Sequence, residues 1–178
     1  MRYKSDEPIS LIPAQPIFSR VRLDQFVGRT WFINLFDTFL TQNSHGYFLL
    51  EAEAGLGKTT LLAYLARQRQ YIHLFVEQTP GLDNLADGLR NLAAQVVQTW
   101  KLQPWCTDDT VPGIPMRPDF LQRLLTVAAY HRDRLAPDQP VVLLIDDIER
   151  TGNLPGQNNL GLPTTLPKGV YVLLSQSP

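Results

Sequence analysis

Residues 52–60, Ala52-Glu53-Ala54-Gly55-Leu56-Gly57-Lys58-Thr59-Thr60, set two glycines beside a lysine and a pair of hydroxyls. Gly55 and Gly57 permit backbone angles closed to other residues and let the main chain approach a ligand closely. The amides of residues 54–59 can curl around an anion, with the positive end of a following helix facing it. Lys58 then reaches the β- and γ-phosphates of a nucleotide as a point charge, and the Thr59 hydroxyl can bind Mg²⁺. This phosphate pattern ordinarily opens on glycine six residues before the lysine. Here that position is Ala52, the mildest replacement. A plain turn with a solvated lysine would use the same residues, so the flanking elements must decide between the two.

A second group lies in "VVLLIDDIER", residues 141–150. Asp146, ending an apolar run, stands where a carboxylate would hold Mg²⁺ directly or through water, opposite Thr59. Asp147 points to the other face of the strand end and can polarise an attacking water as a general base, with Glu149 a rival for that role. Paired acids also simply end strands, and it is the glycine loop that favours chemistry here. In "VYVLLSQSP", residues 170–178, Ser175 and Gln176 form the polar end of another apolar run and are candidates to sense a γ-phosphate. A serine there also serves as an ordinary turn residue.

Other reactive types do not converge. His45, His73 and His131 show no metal-ligand spacing, and His73 reads as a packed side chain. Cys106 has no partner that implies a nucleophile, although folding could still bring a histidine to it. Trp100 and Trp105 read as core cover, and Arg132 and Arg134 as a solvated helix face rather than a nucleic-acid patch.

The elements that must position these residues alternate in type. Residues 1–22, with prolines at 8, 13 and 16, read as an extended arm before a domain spanning 23–178. Apolar spacing predicts helices over 30–42, 58–70, 83–100 and 119–135. Arg67 and Arg69 fall in the last turn of the second, where cations suit the helix dipole. Short apolar runs predict strands over 47–52, 71–76, 141–146 and 170–175, with proline- and glycine-rich loops at 102–118 and 151–169. Solid apolar strands between helices point to a three-layer α/β/α sandwich around a mostly parallel sheet. The glycine loop then joins a buried strand to a helix, the context a phosphate cradle needs.

With 178 residues, the chain has room for one domain with a substantial core. Sixteen Lys plus Arg against seventeen Asp plus Glu give no field to draw it onto nucleic acid or an anionic membrane. One cysteine excludes an internal disulfide and fits a reducing compartment. The N-terminus has no apolar stretch of a secretory signal, and no run approaches the roughly eighteen apolar residues that cross a bilayer. A cytoplasmic protein is expected. The absence of an Asn-Lys-x-Asp sequence disfavours GTP, and the absence of Leu-Ser-Gly-Gly disfavours ABC-type transport.

"FVGRT" (26–30), a helix, and "FLLEAEAGLGKTTLLAYLA" (48–66), with "IDDIER" and "LPTTLPKGVYVLLSQSP" later on, resemble the nucleotide-binding part of signal-transduction P-loop ATPases. This is the STAND class, with NACHT-type and MalT-like members and AAA-like relatives. The resemblance is close over 26–76 and 141–178. It implies an ASCE-type P-loop NTPase in which the strand at 170–175 inserts between the loop strand and the Asp146 strand. It also implies that Val27, Gly28 and Arg29 lie near the adenine, and that the protein is an ATP-dependent switch. Thr30 stands where this family's box carries glutamate, and Ser177 where its last motif carries arginine. The family's fold would continue past residue 178, so the chain is expected to be truncated after its sensor strand and to need a protein partner or to self-associate.

The expected function is therefore an ATP-binding, slowly hydrolysing switch domain, with ATP or ADP and Mg²⁺ as ligands. The rivals are a nucleotide-binding scaffold that does not hydrolyse, and an AAA-like helper ATPase acting on DNA.

Overall fold

The computed structural model describes residues 14–21, 23, 26–76, 85–102, 119–151 and 160–178. Expectations for residues 1–13, 77–84, 103–118 and 152–159, including Trp105 and Cys106, fall outside the described residues. Among the described residues, five helices and four strands run in the order α1 (Gln15–Arg20), α2 (Thr30–Gln42), β1 (Gly46–Glu51), α3 (Lys58–Arg69), β2 (Ile72–Phe75), α4 (Leu85–Thr99), α5 (Phe120–Leu135), β3 (Val141–Asp146) and β4 (Val170–Gln176). A short 3₁₀ turn, Ile148–Thr151, follows β3.

The sheet order is β1-β4-β3-β2 and every pairing is parallel. The last strand thus lies between the strand that feeds the glycine loop and the strand that ends in Asp146. Its register sets Leu50 and Glu51 of β1 beside Ser175 and Gln176, and Ile145 of β3 beside Leu174. The three strand ends that carry the candidate chemistry therefore emerge together at the C-terminal end of the parallel sheet.

Alternation of side chains splits the core into two layers, as a sheet covered on both faces requires. Val142 and Leu144 of β3 join Tyr171 and Leu173 of β4 beneath α1, α2 and α3. Val141, Leu143 and Ile145 join Val170 and Val172 beneath α4 and α5. On the first face Phe48 of β1 is ringed by Phe32, Phe36 and Phe39 of α2, at centroid distances of 5.6, 5.4 and 5.2 Å. These edge-to-face contacts fix α2 over β1. Arg69, in the last turn of α3, pairs with Asp37 of α2 through both carboxylate oxygens, one of them at 2.8 Å. This tertiary tie adds to the helix-end charge effect read from sequence.

Two expectations are corrected. Part of the predicted extended arm is the helix α1, which begins with a proline in its first turn and buries Ile17 under α3. Proline lacks an N–H that the first turn of a helix does not need, so Pro16 starts a helix here instead of preventing one. Arg132 is buried, not part of a solvated face. It donates to Pro137 O at 2.8 Å and Lys168 O at 3.0 Å, and so joins α5 to the turn before β4. Among the described residues, no helix is long and apolar enough to cross a membrane.

Candidate functional site

The loop between β1 and α3 turns on two glycines in the left-handed region, Gly55 at φ 83° and Gly57 at φ 78°. Gly57 is the N-cap of α3, and Lys58, Thr59 and Thr60 form its first turn. The first amides of any helix lack internal acceptors and present a positive dipole end. A Cβ on Gly55 would meet nothing within 4 Å, so the loop keeps its open side there.

Lys58 is nearly buried, at 6% exposure. Its ammonium donates to Ala52 O at 2.6 Å, Glu53 O at 3.3 Å and Ser177 Oγ at 3.0 Å. The lysine is thus folded back into its own loop and pointed toward the end of β4.

Thr59 and Asp146, 87 residues apart in sequence, meet in space. The threonine hydroxyl donates to Asp146 Oδ2 at 2.6 Å. Asp146 itself is 1% exposed, and Ser175 Oγ donates to its other oxygen at 2.5 Å. Burial pushes the Asp146 carboxyl above its ordinary range, opposed by the hydrogen bonds from Ser175 and Thr59 and by the charge of Lys58. A buried carboxylate with a hydroxyl beside it supplies two hard oxygens, the donor type Mg²⁺ takes while phosphates and waters complete its shell. The residues fit that ion. Among the described residues, no group of three or more His, Cys, Asp or Glu side chains could hold a metal in their place.

Asp147 follows in the left-handed region at φ 54°, which turns its side chain away from Asp146. Arg150 lies 3.6 Å from its carboxylate. Burial raises the Asp147 carboxyl, and the charges of Asp146 and Glu149 raise it further. Glu149 accepts the Ser177 N–H at 2.9 Å.

Ser175 stands at the end of β4 between the loop strand and the Asp146 strand, as expected, but not as an open hydroxyl. It is fully buried, and its hydroxyl is spent between Asp146 and the Asp147 N–H, which donates to it at 3.0 Å. The serine holds the two aspartates in place. Ser177, two residues on, is the hydroxyl that reaches the lysine. The signal for it in the sequence was only its position, where the resembled family carries arginine.

The box at 26–30 lies against the same loop. Phe26 stacks on Tyr64 of α3 at 4.1 Å between centroids. Arg29, in the left-handed region at φ 56°, donates to Leu56 O. An open cleft of about 550 Å³ is lined by Arg20, Val21, Phe26, Val27, Arg29, Gly57 and Thr60. Val27 is 86% exposed at its rim, and Gly28 turns the chain there at φ 80°. Arg20 and Val21 were not singled out in the sequence. They arrive because α1 folds back onto α3, a tertiary event with no local signature.

A family model described as AAA ATPase domain matches residues 25–167, a span holding the glycine loop and both aspartates. No curated protein matches the chain.

Proposed function

We propose that this chain, which belongs to the AAA ATPase domain family, binds ATP on the 52–60 loop and hydrolyses it slowly as the switch domain of a signalling or regulatory ATPase. The observation that carries the reading is the contact of Thr59 with buried Asp146, with Lys58 tucked under the same loop. A solvated turn would have no reason to bring a helix-start hydroxyl to a strand-end carboxylate across the sheet.

In this reading the backbone amides of 54–60 and the start of α3 hold the phosphates, with Glu53, Ala54 and Leu56 contributing main chain. Lys58 supplies the charge-assisted contact to the β- and γ-phosphates. Val27 and Arg29 border the cleft beside Gly57 and Thr60, with Gly28 turning the chain between them, where a base and ribose would extend from the loop. Thr59 and Asp146 would hold Mg²⁺, which neutralises charge on the transferring phosphoryl group. Asp147 follows Asp146 at the end of β3, its N–H held by Ser175 and its carboxylate 3.6 Å from Arg150. It orients a water and takes its proton as the Pγ–O bond to ADP breaks and the new P–O bond forms, giving ADP and phosphate. The switch role is supported by the resemblance of the loop and of the 26–30 box to signalling ATPases.

Steady-state phosphate release tests this. The parent chain should turn over Mg²⁺-ATP, and Asp147→Asn should lose about a hundred-fold or more of that rate while still binding ATP. A parent that binds ATP and never releases phosphate would be the non-hydrolysing scaffold. Full turnover in Asp147→Asn would remove Asp147 from the role of base.

A further inference from the structure

We infer that Ser177 sets the preference of this site between nucleoside triphosphate and diphosphate, by competing with the γ-phosphate for Lys58. The inference rests on the nucleotide reading above and adds a residue to it. A lysine ammonium has three protons to donate. Here all three have acceptors: Ala52 O, Glu53 O and Ser177 Oγ. With Lys58 only 6% exposed, a phosphate oxygen can gain its charge only by displacing one of the three.

The three acceptors differ in how easily they yield. Two are carbonyls of the loop itself, fixed by the backbone. The third is a hydroxyl on another element and leaves by rotation about a single bond. Ser177 is nevertheless held close enough to return. Its N–H donates to Glu149 at 2.9 Å, and the neighbouring Gln176 carbonyl accepts the Ala52 N–H at 3.3 Å. The side-chain amide of Gln176 also donates to Glu51 at 2.5 Å. The hydroxyl is therefore a tethered competitor.

A diphosphate asks Lys58 for its β-contact alone, and the longest of the three bonds, to Glu53 O at 3.3 Å, can give up that one proton while Ser177 stays in place. A triphosphate asks for both β and γ, and its terminal group enters beside Asp146, Asp147 and Glu149. That group depends on Lys58 the most and must expel Ser177. The hydroxyl thereby weights the site toward the diphosphate.

The test compares dissociation constants for Mg²⁺-ATP and Mg²⁺-ADP in the parent chain, Ser177→Ala and Ser177→Thr. In Ser177→Ala the ratio of the ATP to the ADP constant should fall by about ten-fold, the worth of one hydrogen bond to a charged donor, with ADP binding little changed. Ser177→Thr keeps the hydroxyl and should keep the parent ratio. An unchanged or increased ratio in Ser177→Ala overturns the inference while leaving nucleotide binding intact. A parent chain that binds neither nucleotide rejects the nucleotide reading, and the competition with it.

Discussion

Arg29 donates its guanidinium to Leu56 O and stands 3.1 Å from where a Cβ on Gly57 would sit. Gly57 is also in the left-handed region, which costs an L-residue roughly 1 kcal/mol or more. Gly57→Ala should therefore lower stability by about 1–2 kcal/mol and weaken ATP binding, because the left-handed turn is strained and Arg29 must shift against the loop. Denaturant melts paired with an ATP titration would show it, and a variant equal to its parent in both would mean that Arg29 does not brace the loop. Side chains whose chemistry dictates both type and spacing were legible in the sequence: Lys58, Thr59 and Asp146 are brought together as expected. The burial of Ser175 was not legible, for a definite reason. β4 extends to Gln176, so Ser175 lies within a central strand, with Leu50 of β1 on one side and the end of β3 on the other. Its hydroxyl points into the sheet end and not at the solvent-facing loop. Arg20 carries no local pattern and Ser177 only its place in the resembled motif, because their contacts join distant segments.

At the scale of elements, β3 and β4 were legible because strands covered on both faces must be apolar at every position. α1 was hidden by the prolines around it. Helix ends moved by a residue or two because caps are local events: α3 stops at Arg69, with Gln70 turning at φ 53° without a glycine to announce it. β2 carries a testable consequence of its packing. His73 sits between Phe18 and Phe75, at 5.7 and 5.5 Å, with Nδ1 2.9 Å from Tyr71 O. Burial lowers its pKa, against a smaller opposing effect of that backbone contact. The unfolded chain then binds the proton more readily than the folded one. Stability from this group is complete above the unfolded histidine value of about 6.5 and is lost as pH falls, at up to about 1.4 kcal/mol per pH unit until the folded value is passed. His73→Phe should flatten the melting-temperature profile on the acid side of about pH 6.5. An equally steep profile in the variant would assign the loss to other groups.

For the molecule as a whole, the sheet order is what gathers the candidate site. β4 between β1 and β3 brings the glycine loop, the aspartate pair and Ser177 to the C-terminal end of the sheet, and α1 with the 26–30 box closes a cleft beside them. Periodicity pointed to a parallel three-layer sandwich but not to the order of its strands, because each apolar run would suit any interior position. The order was anticipated only through resemblance to P-loop ATPases. Both hydrophobic layers share β3 and β4, so ligand binding at that end is linked to the stability of the entire fold. The most direct test is a titration with Mg²⁺-ATP of the parent chain and of Lys58→Ala, each checked for native circular dichroism. The parent should bind saturably and melt at a higher temperature with nucleotide. Lys58→Ala should keep its fold and lose at least about ten-fold in affinity, together with most of the thermal shift. Equal affinity in the two proteins would contradict the phosphate cradle.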